Sequence, residues 1–152
     1  MLSDLIILDI LNECKELCSF SGCTRRQYGA IIYDPNTRKI ISSGTNRSPK
    51  GIPNCTEENE VCDRIRLNIP HGTSYEICRA VHAEQAAIIQ AQTNLTGKYL
   101  FLYGMEDKKP IKSFPCKICA RMIKESGISK IIGSLGSEGS YYVMNAEDLE
   151  II

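Results

Sequence analysis

The chain has 152 residues, the size of one domain with a substantial core. Eighteen basic residues balance eighteen acidic ones, which argues against nonspecific nucleic-acid binding. No apolar run approaches the ~20 residues of a membrane span, and Met1-Leu2-Ser3-Asp4-Leu5 lacks the basic start of a secretory signal. A cytoplasmic protein is predicted, and its eight cysteines then read as metal ligands or buried thiols rather than disulfides.

Leu2, Leu5, Ile6, Ile10 and Leu17, with Asp9 and Glu13 between them, predict an amphipathic helix over about 3–18, with Ser3 or Asp4 as N-cap. Cys14 and Cys18 share a face of it and read as core packing, because a free cysteine behaves as a small hydrophobe. Ser21 to Arg26 is a loop. Tyr28 to Tyr33 and Lys39 to Gly44, joined by the turn Asp34-Pro35-Asn36-Thr37, predict an antiparallel hairpin. The run Ala30-Ile31-Ile32 predicts burial on both faces.

From Thr45 to Arg79 the periodicity fails, apart from a short helix predicted within Glu57 to Asn68 and broken at Pro70-His71-Gly72. A segment this long with little regular structure carries function or is pinned by something. Beyond it come a helix over Ala80 to Gln92, a strand over Lys98 to Tyr103 and a polar loop over Gly104 to Phe114. A second helix over Cys116 to Ser126 stops at Gly127, followed by a strand over Ile128 to Gly133 and a last helical turn over Met144 to Leu149. Strand, helix, strand across 98–133 implies parallel strands with helices covering the sheet. The predicted architecture is a single α/β domain over 1–152, a three-layer α/β/α sandwich with a mixed central sheet and a Cys/His-rich insertion at 45–79.

Two of these helices open on chemistry. His82-Ala83-Glu84 and Pro115-Cys116-Lys117-Ile118-Cys119 together read H-x-E … P-C-x-x-C, the zinc deaminase signature. Cys116 and Cys119, at i and i+3 where a helix begins, bring two sulfurs to one side of the first turn. The helix N-terminus favours them as thiolates. With His82 they make three ligands and leave a fourth tetrahedral position open, the catalytic rather than the structural zinc pattern. Glu84, two residues from His82, points elsewhere and suits a general base acting on a water whose pKa zinc brings to about 7. A redox pair or a structural zinc would use the same cysteines; the two motifs together, in this order, favour catalysis.

On these residues the chain resembles the cytidine/deoxycytidylate deaminase superfamily, and within it the deoxycytidylate deaminases. The resemblance covers residues 20–133. It rests on Tyr28-Gly29-Ala30-Ile31-Ile32, on the stretch from Ser43-Gly44-Thr45-Asn46 to Gly51, on Val81-His82-Ala83-Glu84 to Ile88, and on Pro115-Cys116 to Ile123 followed by Gly127-Ile128. It implies the α/β/α fold, zinc on His82, Cys116 and Cys119, Glu84 as proton shuttle and Asn46 among the substrate contacts. The implied reaction is conversion of dCMP to dUMP and ammonia. A cytidine, cytosine, guanine or tRNA adenosine deaminase, or a non-catalytic zinc-binding module, are the alternatives. Arg25, Arg26 and Arg47 are candidates for the 5′-phosphate, against the alternative of solvated surface charges. The resemblance also implies a homo-oligomer and allows a deoxynucleoside triphosphate effector. Thr45 and Arg47 replace the family's usual Tyr and Gly around Asn46, and Gly104 to Phe114 is an insertion.

Cys55, Cys62, His71 and Cys78 form a further set, C-x6-C-x8-H-x6-C. Four soft ligands in an irregular segment suggest a second, structural zinc. The alternative is buried thiols with His71 on the surface.

Overall fold

Alternating side chains along the central strands divide the protein into two cores, one on each side of a sheet. The computed structural model describes residues 2–58 and 61–152. The helices are α1 (Asp4–Leu17), the single turns α2 (Cys55–Glu58) and α3 (Asp63–Arg66), α4 (Ala83–Ala91) and α5 (Lys117–Ser126). The strands are β1 (Gln27–Asp34), β2 (Lys39–Thr45), β3 (Tyr99–Glu106), β4 (Lys109–Ile111), β5 (Lys130–Ser134) and β6 (Tyr141–Asn145). They form one sheet in the order β2-β1-β3-β5-β6, with β4 paired to β3. β3 and β5 run parallel, and the other pairs are antiparallel, so the sheet is mixed as expected.

Ala30, Ile32, Leu100, Leu102 and Ile131 pack with Ala83 and Ala87 of α4 and Ala120 and Ile123 of α5. Their neighbours Ile31, Tyr33, Phe101, Tyr103 and Ile132 pack with Ile7, Leu11 and Cys14 of α1. A period-two alternation with helices on both faces is what yields three layers.

Four details depart from the sequence expectation. Ser3 caps α1, its Oγ accepting the Ile6 N–H at 3.4 Å, but the buried face is Ile7, Ile10, Leu11 and Cys14, while Leu5 is 77% exposed. The run Leu5-Ile6-Ile7-Leu8 points apolar groups in every direction, so periodicity alone could not fix the rotation. Gly104 to Phe114 is not a loop: β3 extends to Glu106 and β4 returns along it. The turn residues Asp107 and Lys108 both have positive φ, 51° and 62°, the backbone of a tight hairpin that Asn-Gly normally signals. Tyr141-Tyr142-Val143-Met144, aromatic and β-branched, forms strand β6, leaving only a 3-10 turn at Ala146–Asp148. The helix expected within Glu57 to Asn68 is replaced by α2 and α3, and residues 59–60 between them lie outside the described residues.

Helix α4 lies directly on β2. A Cβ on Gly44 would stand 2.6 Å from both the Ala83 carbonyl oxygen and the Ala87 nitrogen. Ser42 Oγ donates to the Ala87 carbonyl at 2.7 Å, holding the helix at that distance. Gly44→Ala is therefore expected to push the start of α4 off the sheet and to cost about 1–3 kcal/mol, read as a lower midpoint in urea unfolding.

Candidate active site

Each half of the H-x-E … P-C-x-x-C pattern begins a helix. His82 is the N-cap of α4 and Cys116 the N-cap of α5, both with extended backbone. The His82 N–H donates to Gln85 Oε1 at 2.9 Å, and Val81 before it pairs with Arg47 through both backbone hydrogen bonds. Cys116 Sγ accepts the Cys119 N–H at 3.4 Å. His82 Nδ1 then lies 3.6 Å from Cys116 Sγ and 3.3 Å from Cys119 Sγ. All three donor atoms fall within 4.8 Å of one another, the one such group of His, Cys, Asp or Glu among the described residues. A zinc tetrahedron has N–S edges of about 3.6 Å when built from ordinary Zn–N and Zn–S bonds. The donor set and its spacing fit zinc.

The electrostatics agree. Cys116 is lowered to about 4, first because Cys119 hydrogen-bonds to its sulfur and then because His82 and the Cys119 N–H do. Cys119 is pushed up by holding that shared proton, and burial adds to it. His82 is raised chiefly by its hydrogen bond to Cys116. Binding zinc through both sulfurs requires both as thiolates and releases the protons they carry. Glu84 is only 6% exposed, and burial raises its pKa above the ordinary carboxylate range.

His82, Glu84 and Cys116 line a cavity of about 440 Å³, with Cys119 fully buried beside it. Of the residues expected at the substrate, Arg25, Arg26 and Asn46 line it too. Asn46, however, spends its amide on the fold: Oδ1 accepts from Ser21 Oγ at 2.6 Å and from the Tyr28 N–H at 2.9 Å, and Nδ2 donates to the Arg26 carbonyl at 2.8 Å. Arg47 is exposed and lies outside the cavity lining, because its backbone bridge to Val81 turns the chain there.

Cys62, His71 and Cys78 also line the cavity, and Cys55 does not. The four do not gather three ligand atoms within 4.8 Å. Cys55 is raised by burial first, and the Cys23 and Cys78 thiols oppose its ionisation further. Cys23 thus belongs to this neighbourhood, although it lies outside the irregular segment from which the set was chosen.

Sequence reasoning also missed Arg64, which is buried and donates to the carbonyls of Ser74 at 2.7 Å, Pro70 at 3.0 Å and Thr73. Its guanidinium lies 5.5 Å from the Tyr75 ring centroid, and Tyr75 meets the His82 ring edge-on at 5.9 Å. The insertion therefore backs a candidate zinc ligand.

Residues 7–135 match the family described as the cytidine and deoxycytidylate deaminase zinc-binding region. The chain belongs to this deaminase family. It is 28% identical over 112 residues to a deoxycytidylate deaminase of Schizosaccharomyces pombe, covering 74% of this chain and 31% of that protein. It is 27% identical over 134 residues to a deoxycytidylate deaminase of Saccharomyces cerevisiae, covering 88% of this chain and 37% of that one. The chain thus spans about a third of the length of these curated relatives. The crystal structure of a dCMP deaminase from cyanophage S-TIM5 in complex with dCMP and dUMP superposes with a TM-score of 0.64 at 22% identity. That match covers 88% of this chain and 83% of the phage chain, and shows the deaminase fold.

Cys119→Ala is expected to abolish tight zinc binding, since two ligands cannot hold the ion as three do, whereas Glu84→Gln retains about one zinc at this site. Elemental analysis of both purified variants checks the division of roles; zinc loss in Glu84→Gln would make Glu84 a ligand.

Proposed function

We propose that this domain converts dCMP to dUMP and ammonia. The observation that carries the reading is Glu84, buried with a raised pKa, opening on the same cavity as His82 and Cys116. A carboxyl group whose affinity for protons is raised suits a shuttle working near neutral pH. His82, Cys116 and Cys119 would hold the zinc, which would supply an acidified water as nucleophile. Glu84 accepts one proton from the attacking water and delivers it to ring N3 as the oxygen bonds to C4. It then passes the second water proton to the exocyclic amine, the C4–N bond breaks, and ammonia leaves. Both protons and the oxygen are accounted for in dUMP and ammonia.

Support for a nucleotide comes from the cations that line the cavity and from the names of the two fungal relatives. Arg25 and Arg26 share the single carboxylate of Glu106, so the trio keeps a net positive charge that attracts an anionic ligand. Asn46 supports the substrate by bracing the loop that carries those arginines.

The same reading extends to the insertion, where Cys55, Cys62, His71 and Cys78 are proposed to hold a structural zinc. The influence of Cys23 and Cys78 on Cys55 supports it, and a four-coordinate ion would take Cys23 in place of one of the four. It extends also to a homo-oligomer, supported by large apolar side chains left exposed, such as Leu5, Phe20 and Ile89. A deoxynucleoside triphosphate effector and a cytoplasmic location complete the proposal. Among the described residues no helix is long and apolar enough to cross a membrane.

Ammonia release measured across dCMP, CMP, deoxycytidine, cytosine, guanine and a tRNA anticodon stem-loop tests the substrate. The expected outcome is turnover of dCMP, falling by about 10²–10⁴-fold or more in Glu84→Gln; turnover of another substrate with dCMP inert would leave the chemistry and remove the assignment. Metal content tests the insertion: about two zinc ions per chain, falling to about one in Cys55→Ala. One zinc per chain, unchanged in Cys55→Ala and Cys62→Ala, would leave these as buried thiols.

A further inference from the structure

Four lysine and arginine side chains line the cavity: Arg25, Arg26, Arg64 and Lys112. Three are committed elsewhere. Arg26 Nε lies 3.0 Å from Glu106 Oε1, and Arg25 Nε lies 3.9 Å from the same oxygen. Arg64 is buried, with its guanidinium on the carbonyls of Pro70, Thr73 and Ser74. Lys112 has no carboxylate partner among the described residues. Among the described residues its ammonium has the Phe114 ring as its partner, 4.5 Å from the centroid.

The backbone under Lys112 is fixed, while its side chain is long and can reach. The β3–β4 hairpin delivers the chain to Lys112, and the next residue, Ser113, is fully buried. Ser113 donates its N–H to the Ser134 carbonyl at 3.0 Å and its hydroxyl to the Leu102 carbonyl at 3.0 Å. Its own carbonyl accepts from Tyr142 Oη at 2.6 Å. Phe114, also lining the cavity, stacks on Tyr142 with centroids 4.4 Å apart and planes inclined at 17°. A cation held at a ligand cavity by an aromatic face alone exchanges that contact readily for an anionic oxygen, to which its hydrogen bonds are charge-assisted.

We infer that Lys112 binds the phosphate of the nucleotide and sets the preference of this site for a nucleoside monophosphate over the free nucleoside. The inference rests on the proposed dCMP reading. It shifts direct phosphate contact from Arg25 and Arg26 to a residue on the segment inserted ahead of Pro115, and leaves the arginines to steer the anion inward. The lysine presents three rotatable donors on a flexible stem, which suits a phosphate that enters and leaves with each turnover.

The test uses the zinc-loaded full chain as wild type, Lys112→Ala and Lys112→Arg, each checked for an unchanged urea midpoint. Steady-state deamination of dCMP and deoxycytidine is measured beside equilibrium binding of dUMP and deoxyuridine. Lys112→Ala is expected to raise KM for dCMP and Kd for dUMP by about tenfold or more, the loss of one charged hydrogen-bonding partner. The matching losses for the two nucleosides are at least about tenfold smaller, kcat for dCMP moves by less than about threefold, and Lys112→Arg recovers most of the dUMP affinity. If wild type deaminates dCMP and Lys112→Ala does so with the same KM and binds dUMP equally well, Lys112 is a solvated rim charge. The inference then falls and the deamination reading stands. If wild type leaves dCMP untouched, the deamination reading falls and the binding arm decides: a wild-type preference for dUMP over deoxyuridine that disappears in Lys112→Ala upholds Lys112, and equal affinities overturn it.

Discussion

Two helices that start at one point concentrate partial positive charge there, and the sulfurs of Cys116 and Cys119 are the groups that answer it. Much of the rest of the molecule serves to bring those two starts together. Parallel pairing of β3 with β5 places α5, because the chain must cross the sheet between them. Gly44 and Ser42 place α4, by letting its backbone approach β2 and then tying it there. The bridge from Arg47 to Val81 aims the chain into His82. Each contact is modest alone. The constraint is collective, because a ligand displaced by an ångström no longer shares a tetrahedron with the other two.

The chemistry was more legible in the sequence than the architecture around it. His82, Glu84, Cys116 and Cys119 sit at helix starts, where local rules of capping and spacing act within a few residues. The double-faced run Ala30-Ile31-Ile32 was legible for the same reason, since alternation is a local signal. What escaped depends on contacts distant in sequence or on turn residues without a signature. Asp107-Lys108 adopts a hairpin turn that its residue types do not advertise, so β4 was hidden. The rotation of α1 is decided by Ile7, Ile10, Leu11 and Cys14 packing on β1 and β3, which leaves Leu5 outside. Asn46, a polar residue in a suggestive motif, lines the cavity and is also a brace between Ser21, Arg26 and Tyr28, a structural part that the motif does not advertise.

The insertion looked irregular because its organising group is a buried charge rather than an apolar stripe. Arg64 satisfies its guanidinium with carbonyl oxygens and an aromatic face, so no carboxylate cancels its charge among the described residues. Burying an unpaired charge is costly unless its donors are met, and here three carbonyls meet them. The segment is thereby folded around a cation that lines the cavity, and it holds Tyr75 against His82.

That leaves a cavity whose charges oppose one another by design of the fold. Glu84 is buried and resists ionisation, while its own backbone, His82 and Cys119 oppose that shift. Burial is the larger influence on Glu84, with the shift upward. Arg25, Arg26, Arg64 and Lys112 line the same space and attract an anion, so the buried carboxyl beside the three candidate zinc ligands and the charge that draws a ligand inward share one cavity.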